Sequence, residues 1–226
     1  MSDLRLVIFD VDGTLVDSQG LIYRSFVAAY DAVGLTPPRR SAALRFVGLS
    51  LAQTFPALSP ELSATAHAQL EAAYKDAYHK ARLAEGSVAS SPFYPRVRAV
   101  LDELRAQDWT LLAVATGKSK RGLDALIAGH GLDGYFVSRQ TADTHPSKPH
   151  PSMIDACLAE TGVSAGRAVM IGDTRFDMDM AKAAGVKRIG VAWGYHPVDT
   201  LDADRIVGDF DALPSAIDEL IGPAHE

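Results

Sequence analysis

The chain has 226 residues, 47% of them hydrophobic and 22% charged, with a formal net charge of −6. That composition is globular, and its acidic balance offers no clustered Lys and Arg for nucleic acid or an anionic lipid surface. A single cysteine, Cys157, rules out an intrachain disulfide framework and sits in the apolar stretch MIDACLAE, as a core residue would.

No apolar run reaches the length of a membrane span, and the first ten residues lack the pattern of a signal peptide, so the sequence reads as a soluble cytoplasmic protein. Its length suits two packed units.

Residues 6–9 (LVIF) form a continuous apolar run that stops at Asp10, the pattern of a strand buried on both faces. From 16 to 91 the spacing turns helical and no buried strand is legible. Leu21, Ile22, Phe26, Ala29, Tyr30 and Val33 share one face of a first helix, with Ser18 as its cap and Gly34 as its stop. A second long helix is predicted to start near Ser59 and Pro60, carrying Leu62, Ala66, Leu70, Ala73, Tyr74 and Ala77. These stripes read as helix-on-helix packing.

After the prolines at 92 and 95, strands and helices alternate. Strands are expected at 111–115 (LLAVA), 135–137, 168–171 (AVMI) and 189–192, making five in all; helices are expected at 97–104, 119–128, 152–160 and 176–184. This alternation predicts an α/β fold, a doubly wound, Rossmann-like parallel sheet interrupted by an all-helical insertion. The corresponding units are a core of 1–15 and 92–226 and a helical unit of 16–91.

In such a sheet, ligands bind beyond the carboxyl ends of the strands, where strand order reverses. The residues just past the predicted strand ends are Asp10 and Asp12, then Thr116 and Gly117, then Asp173 with Asp177. Taken singly, each is more often an ordinary polar loop residue; their coincidence at one edge carries the weight. Several carboxylates together repel, and a hard dication with oxygen ligands relieves them, which points to Mg2+ and to phosphoryl chemistry. Thr116, the helix N-terminus after it and Lys148 could meet the phosphoryl oxygens. The string ATGKSK is not a nucleotide-binding P-loop, because Leu112 stands where that motif needs glycine. The histidines show no metal-ligand spacing, and His145, His150 and His196 read as loop or surface residues.

FDVDGTLVDS at the N-terminus resembles the first motif of the haloacid dehalogenase superfamily. ATGK at Thr116, KPHP at Lys148 and IGDTRFDMDMA with Asp173 and Asp177 follow in that family's order, and the helical insertion is similar to the small cap of its phosphoglycolate phosphatase-like branch. The resemblance implies a phosphatase in which Asp10 is the nucleophile, Asp12 the general acid and base, and Thr116, Gly117 and Lys148 hold the phosphoryl group. It implies Mg2+ held by Asp10, the main-chain carbonyl of Asp12 and Asp173, with Asp177 ligating through water or orienting Lys148.

The second acid, Asp12, sets the chain apart from metal-free dehalogenases of the superfamily. RFVGLSLAQTF implies that Arg45, Gly48 and Leu49 approach the leaving group, while Arg96 stands where the family commonly has glycine. The substrate is expected to be a small phosphorylated metabolite, a phosphoglycolate-like monoester or pyrophosphate, with a sugar phosphate and a nucleoside monophosphate also open, and the enzyme a monomer or homodimer. A sugar-phosphate phosphomutase would use the same acids, and a receiver-type phosphoacceptor module is a further alternative, although it has no need of a cap. A catalytically retired scaffold conflicts with intact Asp10, Asp12, Lys148 and Asp173.

Overall fold

The computed structural model describes residues 4–223. β1 (Arg5–Phe9) is followed by five helices, α1 (Gln19–Ala32), α2 (Arg40–Leu44), α3 (Leu51–Leu58), α4 (Ala64–Glu85) and α5 (Ser87–Ser90). The remainder alternates: α6 (Val97–Arg105), β2 (Thr110–Thr116), α7 (Lys120–His130), β3 (Ser138–Thr141), α8 (Ser152–Thr161), β4 (Ala168–Gly172), α9 (Arg175–Ala184) and β5 (Lys187–Val191). The edge strand β6 (Arg205–Val207) and α10 (Leu213–Ile221) follow. No helix among the described residues is long and apolar enough to cross a membrane.

All strands are parallel, in the order β3-β2-β1-β4-β5-β6. The chain winds outward from β1 to β3, then returns to start the other half at β4, so strand order reverses at β1 and β4. Phe9 lies level with Val114 and Ile171, which brings the carboxyl ends of the three central strands together.

Alternation along β1 explains the two layers. Val7 and Phe9 face a core shared with α6, α7 and α10, while Leu6 and Ile8 face one shared with α8 and α9, where Cys157 is buried. Arg5, fully buried at the opposite end of β1, donates four hydrogen bonds, to Thr110, Gln107, Asp218 and the Gly222 carbonyl. The inserted helices have a third core of their own, in which Phe26 meets Phe55 edge-on at 5.6 Å and Tyr74 at 4.8 Å.

Six strands are present where the sequence predicts five. β6 is three residues long and half exposed, so its apolar signal is only Ile206 and Val207. The third strand is also shifted: the run 135–137 is turn and approach, with Val137 57% exposed, and β3 is the polar SRQT that follows. An inner strand selects hydrophobic residues on both faces; an edge strand does not. The second long helix begins at Ala64 rather than near Ser59, because Ser63 caps it by accepting from the Ala66 N–H, while the Ser59 hydroxyl is engaged with Tyr30. Ser18 precedes α1 but does not cap it through its side chain.

Candidate active site

Asp10 follows β1 directly, its N–H donating to the Ile171 carbonyl of β4 at 2.9 Å, so the switch point itself positions it. Lys148, reaching in from the loop before α8, donates to Asp10 Oδ1 at 2.8 Å and to Asp177 Oδ1 at 2.6 Å, with both of its partners buried. Asp177 Oδ2 accepts from the backbone N–H and the hydroxyl of Thr174, closing a capping box at the start of α9. The same carboxylate thus fixes a helix terminus and orients the lysine.

Asp173 Oδ1 accepts from the Thr14 hydroxyl at 3.0 Å, and its Oδ2 accepts from the Tyr195 N–H at 2.8 Å. Gly13, at φ +89°, passes so close that a Cβ there would fall 2.2 Å from Asp173 Oδ2. Asp10, Asp173 and Asp177 each offer an oxygen, and these oxygens lie within 4.8 Å of one another, all buried.

The electrostatics follow from that crowding. Burial, and to a smaller extent the nearby Asp177 and Asp12, pushes Asp10 up to about 6 against the pull of Lys148. Burial with Asp10 and Asp177 holds Asp173 well above the ordinary carboxylate range. Burial alone would depress the Lys148 ammonium, but Asp10 and Asp177 outweigh it and hold it above the usual lysine value. Among the described residues, one ammonium pairs with two of the three carboxylates, and the third, Asp173, has only neutral donors, Thr14 and the Tyr195 N–H. An all-oxygen, charge-deficient donor set of this kind fits a hard divalent cation.

Asp12 points elsewhere. Its Oδ1 accepts from the Ser18 hydroxyl at 2.5 Å, and its Oδ2 pairs with Lys118 at 3.0 Å. Ser18 also contacts the Tyr195 hydroxyl at 3.0 Å, which is why it does not cap α1. Burial, reinforced by Asp12, keeps the Tyr195 phenol protonated. Lys118 donates in addition to the Tyr78 hydroxyl of α4 at 2.7 Å, so Asp12 is linked to the inserted helices.

A cavity of about 110 Å³ opens above these groups. Asp10, Asp12, Thr116, Gly117 and Gly48 line it together. Lys148, Asp173 and Asp177 lie beneath, fully buried. Gly117 touches the loop before α3: a Cβ there would come 2.5 Å from the Gly48 carbonyl oxygen. Arg45 is not in the lining; its side chain is exposed, and its carbonyl faces His196 Nε2 at 3.0 Å. The side chain of Asp12 likewise stays outside the group of three carboxylates.

The sequence gives no site role to Lys118, Tyr78 or Tyr195, and Ser18 reads there only as a helix cap. Lys118 stands inside ATGK, where dismissal of the P-loop left it without a role. Tyr78 follows Tyr74 at helical spacing, a pattern that reads as core.

The family model described as haloacid dehalogenase-like hydrolase matches residues 7–191. The chain is 35% identical to a probable phosphatase, IndB, of Dickeya dadantii, over 97% of this chain and 93% of that protein. It is 30% identical to a phosphoglycolate phosphatase of Vibrio cholerae, with 94% and 96% covered, and 30% identical to the pyrophosphatase PpaX of Bacillus velezensis, with 90% and 91% covered. Among solved structures, a hydrolase from Pseudomonas syringae shares the fold with a TM-score of 0.82 at 23% identity, covering 96% of this chain and 99% of that one. The ordered motifs, the switch-point carboxylates and the match across most of the chain lead to one assignment: this protein belongs to the haloacid dehalogenase-like hydrolases.

Proposed function

We propose that the protein is a phosphatase that hydrolyses a small phosphate monoester or pyrophosphate through an aspartyl-phosphate on Asp10. The observation that carries this reading is the position of Asp10: it lines the cavity at the switch point, held by Lys148 from below, with Asp12 and Thr116 on the same wall. Relatives named phosphoglycolate phosphatase and pyrophosphatase support the substrate class.

In the first step an Asp10 carboxylate oxygen attacks phosphorus, the bond from phosphorus to the leaving oxygen breaks, and Asp12 gives that oxygen its proton. In the second, Asp12 takes a proton from water as the water oxygen attacks phosphorus, and the bond to Asp10 breaks to release inorganic phosphate. Thr116 and the Gly117 N–H hold the phosphoryl oxygens, and Lys148 balances charge on Asp10. The Thr116 hydroxyl already accepts from the Lys118 N–H at 3.2 Å, leaving its own proton to donate. A divalent cation, Mg2+ on this donor set, would be held by Asp10, the Asp12 carbonyl, Asp173 and Asp177, and supplies positive charge to the phosphoryl oxygens when bound.

The unit 16–91 acts as a cap that closes over the cavity from hinges near Val16 and Pro92. The paired links support this: the Asp17 N–H donates to the Pro92 carbonyl and the Tyr94 N–H to the Leu15 carbonyl, so both crossings lie side by side. Cross-linking the cap to the core should abolish turnover, and unchanged turnover would refute the hinge. Phosphate release from a panel of small esters and pyrophosphate, with and without Mg2+, tests the reaction itself. Mg2+-dependent release that disappears in Asp10→Asn is expected; full activity in that variant would overturn the assignment.

A further inference from the structure

The cavity wall away from the carboxylates is basic. Lys75, His79 and Arg82 of α4 line it, spaced so that they share one helical face, and Arg121 at the start of α7 joins them from the core. Lys75 is engaged by Glu71 at 2.6 Å. Among the described residues, Arg82 and Arg121 pair with no carboxylate; the Arg82 guanidinium approaches His79 Nδ1 at 3.1 Å. The acids in the lining, Asp10 and Asp12, are already matched by Lys148 and Lys118. Two arginines, Arg82 half-buried and Arg121 exposed, therefore line the cavity without a carboxylate partner among the described residues, in a chain whose net charge is −6.

Their position relative to the reacting groups follows from the helix. Tyr78 meets Lys118, which meets Asp12, and Arg82 lies one turn further along α4, about 6 Å of axial rise. Arg82 and Asp12 line the same cavity. Tyr78 itself lines the cavity, giving an apolar flank to a short tail. A guanidinium fork matches the two oxygens of a carboxylate or of a phosphoryl group.

We propose that Arg82 and Arg121 form a subsite for a second anionic group, a carboxylate or a second phosphoryl group, on the leaving side of the substrate. The inference deepens the phosphatase reading and rests on it for the direction in which the leaving group points. It makes Arg82 and Arg121 specificity-determining, and it excludes esters with neutral tails as preferred substrates.

Calorimetric binding of three phosphonates to the Mg2+-loaded protein tests it: phosphonoacetate, methylenediphosphonate and, with a neutral tail, ethylphosphonate. One or both of the doubly anionic ligands should bind at least about tenfold more tightly than ethylphosphonate, and their ranking names the second anion. Arg82→Gln combined with Arg121→Gln should erase that gap and leave ethylphosphonate binding unchanged; Arg82→Lys, which keeps the charge, should restore part of it. Equal binding of all three by the wild type, or an equal loss for all three in the double variant, overturns the proposal. If the preference is present but no ester is hydrolysed, the subsite stands and the phosphatase reading falls.

Discussion

Lys118 Nζ lies 3.0 Å from Asp12 Oδ2, and this pair joins the loops that leave the two neighbouring strands β1 and β2. Burial opposes the Lys118 charge, but Asp12 and Tyr78 more than offset it and hold the ammonium above its ordinary value. The Lys118 ammonium and the Ser18 hydroxyl together hold the Asp12 side chain in one orientation. Lys118→Met should lower kcat about 10- to 100-fold, as loss of an aligned acid-base group does. Steady-state phosphate release checks this, and an unchanged kcat would show that Asp12 needs no such partner.

Gly117 carries a different constraint, one of space. With the Gly48 carbonyl oxygen 2.5 Å from where a Cβ would stand, Gly117→Ala has to push the loop before α3 away from the core. Activity should fall more than about tenfold, since small displacements in an assembled site are costly. Thermal unfolding should change little, because the contact lies outside the three hydrophobic cores. A variant with full activity would mean that this loop need not seat on Gly117 for catalysis.

The carboxylate group gives metal-free protein a distinctive pH response. Asp10 is raised in the folded state to about 6 from 3.8, so folding binds its proton more tightly than the unfolded chain does. The sign follows: this group's contribution is most favourable below about pH 4 and is lost as pH rises through about 6. Asp10→Asn cannot lose it. In the presence of a chelator, the melting temperature of the variant should gain on that of the wild type across this interval, and added Mg2+ should close the gap. Parallel melting curves for the two proteins would refute the electrostatic account.

Arg96 is the one non-glycine among the described residues with positive φ, at 70°. It begins α6 in the left-handed region, which costs an L-residue about 1 kcal/mol relative to glycine. Its ion pair with Asp211 is exposed on both sides and returns little. Arg96→Gly should be neutral to stabilising by up to about 1 kcal/mol in chemical denaturation. Marked destabilisation would show that the pair with Asp211 matters more than the backbone.

Much of this architecture is written in short apolar runs. LVIF, LLAVA and AVMI announce the inner strands because each is covered on both faces, and the acids just past the first and the last of them mark the switch point. Ser138 and Gln140 are buried too, yet they pair with each other and carry no hydrophobic signature, so β3 escapes such a reading. The carboxylates stand in local motifs, where spacing reveals them. Lys118 against Tyr78, or Ser18 against Tyr195, are contacts between segments 40 and 177 residues apart, and no periodicity within either segment encodes them.

The order of strands also sets an order of assembly. β1 is synthesised early, yet its neighbours begin at Thr110 and Ala168, and Arg5 awaits Asp218. The inserted helices, whose buried core residues all fall within 22–74, can form while LVIF is still without either flanking strand. Pulsed hydrogen exchange during refolding should find α1 and α4 protected before β1. The segment that ends at Asp10 would then be exposed for long to chaperones and proteases in the nascent chain, even though it is buried in the finished fold.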